Sequence, residues 1–327
     1  MNSILKIHLL LLYCFFIVDL SAQSERKEYR FYQSISVDGV KRTYLINLPP
    51  NYYLRNNFSL VIALHGGGGD AYQFEKSSGL TQKANAEKFI IVYPEGKFRN
   101  KLLPIRTWNA GSCCAYSVEA NVDDVKFISV LIDTLINSFK INSRKVYATG
   151  HSNGGMMCYR LACQLSEKIA AIAPNSSTMV VMEPCNPTRA VPILHMHSIL
   201  DDNVPYDGGV VLRTGSPSPP LDSVLGVWST INQCTQKDTL RNDSLYKEIV
   251  WSNTNNNVAI NYYLTMDGGH SWPGGKAGSA MGDQPSKVIN ANDLLWDFFR
   301  QYQLPNGQSQ VFKKTYKYPK NIEQTAE

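Results

Sequence analysis

The feature that most constrains this chain is a Gly-x-Ser-x-Gly segment, which runs from Gly150 to Gly154 and centres on Ser152. The apolar run 145–149 before it has the character of a buried strand, and residues 155–163 after it favour a helix. A serine between a strand and a helix lies on a sharp turn, which lifts its hydroxyl above the edge of a sheet. Glycines two positions before and after it let the strand and the helix approach closely enough for that turn. The segment therefore predicts a nucleophile elbow with Ser152 as the nucleophile.

A serine hydroxyl is a weak nucleophile at neutral pH, so it needs a base to accept its proton and an acid to hold that base. Residues that follow two later strands can supply both, in the order serine, acid, histidine that doubly wound hydrolases use. The apolar run 191–197 is followed by Asp201 and Asp202, and the last predicted strand, 262–266, is followed by His270. His270 lies in a glycine-rich loop, which suits an exposed and aimed side chain. We therefore expect His270 to be the base and one of the two aspartates to be the acid.

The other histidines beyond the N-terminal region are better explained by packing than by catalysis. His65 heads a glycine run and is expected to order it, and His151 lies inside the elbow and is expected to pack there. His195 and His197 lie on a predicted buried strand, where satisfied core residues are the favoured interpretation. A His-x-His metal site on that strand is the alternative.

The glycine run 66–69 admits two interpretations. A phosphate-binding loop would continue with Gly-Lys-Ser/Thr, but Gly69 is followed by Asp70. The other interpretation is an oxyanion loop, in which glycines let backbone N–H groups approach a developing negative charge. His-Gly-Gly-Gly after a strand is the pattern of lipases and esterases. We expect the N–H groups of Gly67 and Asn153 to be the two donors.

The composition fits one globular domain, and the N-terminal sequence predicts export. The chain has 327 residues, 43% of them hydrophobic and 18% charged, which allows a large core. Lys6, an apolar run over 7–18 and the small residues Ser21 and Ala22 predict a signal peptide over 1–22. No other stretch is apolar over the ~18 residues that a membrane helix needs, so we expect a secreted or periplasmic protein that does not associate with membranes after signal cleavage. The net charge of +5 lies partly in the C-terminal tail, and a solvated tail is favoured over a nucleic-acid patch.

The cysteines predict at least one disulfide. The chain has 7 cysteines, and removal of the signal peptide with Cys14 leaves an even number, as is common in exported proteins. Two pairings are excluded. Cys113 and Cys114 are adjacent and would close a strained ring, and Cys158 and Cys163 are separated on one predicted helix by about 7.5 Å of axial rise. The other pairings, which also involve Cys185 and Cys234, stay open.

Strands that alternate with helices predict an α/β fold with a mainly parallel, doubly wound sheet. Alternating apolar and polar residues over 29–37 and 42–48, on either side of a turn at Asp38 and Gly39, predict an antiparallel hairpin at the N-terminal edge. We place the folded domain at 23–304 and expect 305–327 to be a polar, flexible tail.

Five segments, which follow one another as in a known family, give the chain a specific resemblance. They are Leu64–Gly69, Thr107–Cys114 with Asn121–Asp124, Gly150–Gly155, His197–Tyr206 and Gly268–Gly274. The chain resembles the secreted esterase family that joins feruloyl esterases with single-domain polyhydroxybutyrate depolymerases. The resemblance implies an α/β-hydrolase fold, a serine esterase without cofactor or metal, and a catalytic triad of Ser152, Asp201 and His270. It selects Asp201 because the family's acid lies four residues after the histidine that matches His197. The family usually has Gly-Thr where this chain has Ser198 and Ile199.

The resemblance implies an ester substrate and leaves its identity between alternatives. A feruloyl or acetyl ester on plant polysaccharide such as xylan is favoured, and a polyhydroxyalkanoate polyester is the first alternative. A non-catalytic carbohydrate-binding relative is the alternative from another class, and the intact triad argues against it. Trp272, Trp108 and Tyr206 lie on motif loops and are candidates to contact an acyl group or a sugar, with ordinary packing as the alternative for Trp108 and Tyr206. The sequence does not indicate an oligomeric state.

Overall fold

The computed structural model describes residues 28–306, apart from residues 101, 103, 213 and 254–257. The predicted signal peptide and nearly all of the predicted C-terminal tail lie outside the described residues. Within them, the chain forms a ten-stranded sheet, a two-stranded ribbon and the helices that cover the large sheet. None of the helices in this part of the chain is long and apolar enough to cross a bilayer.

The large sheet is parallel in its centre and antiparallel at both edges. In chain order the strands are β1 (Arg30–Val37), β2 (Val40–Asn47), β3 (Phe58–Leu64), β4 (Ile90–Pro94), β5 (Ile141–His151), β6 (Ala171–Asn175), β7 (Ile193–Ser198), β8 (Gly209–Val210), β9 (Pro217–Ser218), β10 (Gln236–Asn242), β11 (Tyr246–Ser252) and β12 (Val258–Thr265). The spatial order is β1-β2-β4-β3-β5-β6-β7-β12-β11-β10, and β8 pairs with β9 in the ribbon. Strands β4, β3, β5, β6, β7 and β12 are mutually parallel. Strands β1 and β2 form an antiparallel hairpin, so the predicted sheet with its N-terminal hairpin is confirmed.

Helices cover both faces of this sheet. They are α1 (Ala71–Ser78), α2 (Leu80–Glu87), α3 (Ala115–Glu119), α4 (Asp124–Ser138), α5 (Asn153–Gln164), α6 (Leu221–Ile231) and α7 (Ala291–Phe299). Side chains of β3 alternate between two apolar clusters, because successive residues of a strand point to opposite faces. Leu60 and Ile62 pack with α4, α5 and α6, whereas Val61 and Ala63 pack with α1, α2 and α7. The sheet is therefore doubly wound, as predicted.

The topology brings the candidate residues to one edge of the sheet. Strands β3, β5, β7 and β12 are parallel and separated only by β6, so their carboxyl ends open on the same side. The loops that leave them carry the glycine run, Ser152, Asp201 and His270, respectively. In open α/β sheets this edge is where ligands bind.

Strand β10 and the first part of β5 were not predicted from the sequence, and the physical reason is the same for both. Strand β10 lies at the edge of the sheet, and nearly all of its side chains are exposed, so its sequence shows no apolar alternation. Strand β5 begins at Ile141, four residues before the predicted strand, and this first part is only partly buried. A polar strand needs a neighbour that its own sequence does not reveal.

The cysteines give one confirmed prediction and one correction. Cys163, near the end of α5, is bonded to Cys185 with a Cα–Cα distance of 4.9 Å, which confirms that the chain contains a disulfide. The exclusion of a bond between Cys113 and Cys114 is wrong, since these two form the second disulfide. The peptide bond between them is cis, the geometry that brings adjacent Cα atoms closest together. Cys158, which was predicted not to pair with Cys163, is a buried free thiol.

Candidate active site

Ser152 lies on a tight turn between β5 and α5. Its φ of 55° and ψ of −122° lie outside the regions that most non-glycine residues adopt. Its N–H donates to the carbonyl oxygen of Asn175 on β6 over 3.0 Å, which anchors the turn to the neighbouring strand. A Cβ at Gly154 would overlap the carbonyl oxygens of Leu64 and His65. Only glycine lets the start of α5 lie this close to the end of β3.

Asp201 and His270 are in direct contact. The Nδ1–H of His270 donates to Asp201 Oδ2 over 2.8 Å, and Asp201 Oδ1 lies 3.0 Å from the same nitrogen. The Asp201 residue is only 3% exposed. Its Oδ1 also accepts the N–H groups of Asn203 and Val204 over 3.1 and 2.9 Å, which closes a turn around the carboxylate. This arrangement leaves Nε2 of His270 as the nitrogen available to a substrate or a nucleophile.

The surroundings of Asp201 favour its ionised form. Burial on its own would raise the pKa of this carboxyl. The hydrogen bond and charge of His270, the nearby His197 ring and the N–H of Val204 outweigh burial and lower the pKa below the ordinary aspartate value. Asp201 is therefore a carboxylate at neutral pH, as a group that holds a histidine must be.

His151, the neighbour of Ser152, lies beside His270 at the same edge of the sheet. The rings of His151 and His270 lie 4.7 Å apart between centroids. Nδ1 of His151 is 2.8 Å from Oδ1 of Asn175, whose amide nitrogen donates in turn to the Met196 carbonyl over 3.2 Å. Among the described residues the Ser152 hydroxyl makes no hydrogen bond to His270. Catalytic hydrogen bonds of this kind are often long without substrate and tighten when it binds.

The glycine loop lies against the elbow. A Cβ built on Gly66 would be 3.4 Å from the Cβ of Ser152, and one built on Gly67 would be 3.9 Å from the Cβ of Asn153. The N–H of Asn153 is the first of α5 and has no acceptor within its own helix. Neither it nor the N–H of Gly67 has an acceptor in the part of the chain that the structure describes. Two free backbone donors beside a serine are what a developing oxyanion requires.

Two buried side chains order the loops beside the elbow. The amide of Asn153 accepts the N–H of Trp108 over 2.7 Å and donates to its carbonyl over 3.0 Å. Nδ1 of His65 lies 2.8 Å from the carbonyl oxygen of Gly66, and its Nε2 accepts the N–H of Gly96 over 3.0 Å. Burial lowers the pKa of His65 to about 4, so the ring is neutral at physiological pH and can make both bonds. His65 thus orders the glycine run, as expected.

The three aromatic candidates differ in accessibility. Trp108 is 0% exposed, and its indole N–H donates to the His65 carbonyl over 2.9 Å. Trp272 is 2% exposed and donates to Oδ1 of Asn292 over 2.9 Å. Tyr206 is partly buried and packs against the main apolar cluster. Of the three, only Tyr206 presents an accessible surface. The two indoles are buried and pack within the apolar clusters.

Several contacts around the site were not predicted from the sequence. Asp283 accepts the backbone N–H of His270 over 2.7 Å. The hydroxyl of Ser198 donates to the Asp267 carbonyl over 2.9 Å and accepts the N–H of Leu200 over 3.0 Å, so it ties the loop of the acid to the loop of the base. Ser198 is one of the two departures from the family pattern, and a Gly-Thr pair would carry no hydroxyl at this position. Such contacts join residues far apart in the chain and leave no local sequence signal.

Comparison with known proteins agrees with this architecture. A model of the family described as "Esterase PHB depolymerase" matches residues 42–249. The chain is 26% identical over 272 residues to feruloyl esterase B of Piromyces equi, an alignment that covers 81% of this chain and 46% of that protein. It is 30% identical over 168 residues to the bifunctional acetylxylan esterase/xylanase XynS20E of Neocallimastix patriciarum, covering 51% of this chain and 22% of that protein. The chain thus spans less than half the length of these two relatives.

A solved structure shares the fold. The acetyl xylan esterase from Aspergillus awamori superposes with a TM-score of 0.58 at 15% identity, covering 82% of this chain and 99% of that chain. This similarity confirms the predicted α/β-hydrolase fold. Because the family model matches well over half of the chain, the chain belongs to the esterase PHB depolymerase family of the α/β-hydrolase superfamily.

Proposed function

We propose that the chain is an exported serine carboxylic-ester hydrolase that releases feruloyl or acetyl groups from plant polysaccharide such as xylan. The observation that carries the proposal is the buried Asp201 carboxylate, 2.8 Å from Nδ1 of His270, on the sheet edge where the elbow presents Ser152. Family membership supports ester hydrolysis. The relatives named as feruloyl and acetylxylan esterases support this substrate class.

In the proposed mechanism His270 carries the proton of Ser152 to the departing alcohol. Asp201 holds the proton of His270 on Nδ1, so the lone pair of Nε2 is free to accept the proton of Ser152. The serine oxygen attacks the ester carbonyl, and the N–H groups of Gly67 and Asn153 stabilise the negative charge that develops on the carbonyl oxygen. His270 then gives its proton to the departing alcohol. Water then attacks the acyl-enzyme while His270 accepts a proton from it. His270 returns that proton to the oxygen of Ser152 as the bond between the acyl group and the serine breaks.

A polyhydroxyalkanoate depolymerase is the second candidate, because the family description names that activity. The mechanism would be the same, and the substrate would be a polyester. The non-catalytic, carbohydrate-binding alternative has less support, since Asp201 and His270 are paired and the elbow is intact.

Purified protein without the predicted signal peptide should be assayed on methyl ferulate, acetylated xylan and polyhydroxybutyrate film, with Ser152→Ala as the matched control. We expect release of ferulate or acetate by the native chain and a loss of about 10⁶ in kcat for the variant, as for a triad serine elsewhere. Preferential release of hydroxybutyrate would move the assignment to the polyester. A variant that keeps a tenth of the native rate on every ester would refute the mechanism.

A further inference from the structure

A line of buried polar side chains lies behind Asp201 and is not used by the proposed mechanism. The hydroxyl of Tyr159 lies 2.7 Å from Nδ1 of His195, and Nε2 of His195 lies 3.1 Å from Nδ1 of His197. Nε2 of His197 lies 2.8 Å from the carbonyl oxygen of Val204. Tyr159 and His195 are 0% exposed and His197 is 1% exposed. Three polar residues are thus joined in one hydrogen-bonded line inside the core.

The partners determine the direction of every bond in this line while both rings are neutral. The carbonyl oxygen of Val204 can only accept, so Nε2 of His197 carries the proton and its Nδ1 is an acceptor. Nε2 of His195 must then donate to that Nδ1, and its own Nδ1 accepts the hydroxyl of Tyr159. Burial lowers the pKa of both imidazoles, which keeps them neutral. Every donor and acceptor of the two rings is satisfied without a charge.

The line ends at the turn that presents the acid. The Val204 peptide accepts His197 on its carbonyl side and donates to Oδ1 of Asp201 over 2.9 Å on its N–H side. Nε2 of His197 is also 3.4 Å from Oδ2 of Asp201, the oxygen that faces His270. His197 therefore restrains the carboxylate both through the turn and by direct proximity.

The other end of the line lies on the helix of the nucleophile. Tyr159 belongs to α5, which starts at Asn153 directly after Ser152. Tyr159 lies seven positions after Ser152, a rise of about 10 Å along a helix. The hydrogen-bonded line therefore connects the helix that positions Ser152 with the loop that positions Asp201.

We propose that Tyr159, His195 and His197 are positioning residues, which fix the location of Asp201 relative to α5, the helix that follows Ser152. This inference rests on the proposed ester hydrolase function and adds three residues that touch neither substrate nor the reacting atoms. Asp201 stabilises the cation that forms on His270 during the reaction. A carboxylate that is held less firmly should stabilise that cation less, so both the rate and its pH dependence should change.

The first test removes one hydroxyl from the line with Tyr159→Phe and compares it with Tyr262→Phe. Tyr262 is 3% exposed and its ring lies 5.8 Å from that of His195, but its hydroxyl takes no part in the line. With a p-nitrophenyl ester and titrated active sites, we expect kcat of Tyr159→Phe to fall about 3- to 10-fold, the equivalent of one net hydrogen bond, with KM within about twofold. The acid limb of its kcat profile should move to lower pH by about 0.5 unit or more. Tyr262→Phe should leave all three quantities near native.

The second test asks whether the donor of His197 is what matters. In His197→Gln the amide N–H can replace Nε2–H towards Val204, whereas His197→Phe offers no donor. We expect the Gln variant to keep several-fold more kcat than the Phe variant, with thermal melts identifying the folded preparations.

These measurements separate failure of this inference from failure of the proposed function. Native-like kcat and pH profile in Tyr159→Phe, or equal kcat in folded His197→Gln and His197→Phe, would overturn the positioning role and leave a core network that contributes stability alone. If Ser152→Ala retained the native rate, the proposed function and this inference would fall together.

Discussion

Two adjacent aspartates, Asp201 and Asp202, have opposite surroundings. Asp201 is buried and bonded to His270, whereas Asp202 is exposed. In the turn that carries them, the side chain of Asp201 faces His270 and that of Asp202 lies on the surface, so only Asp201 reaches the histidine. We expect Asp201→Asn to lose on the order of 10³ or more in kcat, because asparagine favours the wrong imidazole tautomer, and Asp202→Asn to lose less than about tenfold.

Both variants should be compared on one p-nitrophenyl ester after their folding has been checked by circular dichroism. Each replaces a carboxylate with an amide of the same shape, so the pair is its own control for the lost charge. The opposite ranking would assign the acid to Asp202.

The packing of α5 against β3 accounts for the elbow at the level of whole elements. A Cβ at Gly154 would overlap the backbone of Leu64 and His65, so Gly154→Ala should push the helix away from the strand. We expect this variant to lose at least about 2 kcal/mol of unfolding free energy, within the range of overpacked cores, and to lose most of its esterase activity with it. Urea unfolding and a single ester assay measure both effects.

Gly226→Ala is the matched control for this change. Gly226 also lies within a helix, α6, but a Cβ there would have no heavy atom within 4 Å apart from its chain neighbours and the nearby backbone of its own helix. We expect Gly226→Ala to stabilise the protein by about 0.5–1 kcal/mol, because alanine loses less backbone entropy in a helix. If Gly154→Ala proved equally neutral, the steric account of the elbow would be wrong.

The same packing shows why some elements could be predicted and others could not. The apolar run of β7 and the second half of β5 are buried, so their sequences alone predicted central strands. Strand β10 buries almost nothing, and only its pairing with β11 makes it a strand. Local apolar pattern predicts elements that form the core and fails for those that lie on its margin.

The sequence order predicted that Ser152, Asp201 and His270 follow three strands, and the structure has all three at one edge of the sheet, because parallel strands bring their carboxyl ends together. The supporting contacts could not be predicted in this way. His270 meets Asp283, and Ser198 meets Asp267 across 69 positions of the chain. Trp108 and Trp272 lie on motif loops, but their indoles point into the core, and a loop sequence does not reveal which way a ring turns.

For the molecule as a whole, buried neutral histidines should control stability in mild acid. His65, His195 and His197 are each at most 1% exposed. Burial lowers the pKa of His65 to about 4, lowers that of His195 well below its usual value, and also lowers that of His197. In the unfolded chain a histidine binds its proton near pH 6.5. Between these values the unfolded state therefore holds more protons than the folded state, so the unfolding free energy must rise with pH.

We expect the free energy of unfolding to fall as the pH is lowered from about 7 to 5, with a slope of up to about 1.4 kcal/mol per pH unit for each of the three histidines. Asp201 acts with the same sign in a lower window, since its lowered pKa adds stability that is lost only as the pH falls through the folded value. Urea unfolding at closely spaced pH values measures the slope. His65→Gln removes one buried imidazole, so the slope of the unfolding free energy against pH should decrease by the contribution of about one proton. A slope that is already flat in the native chain would show that these rings gain protons without unfolding.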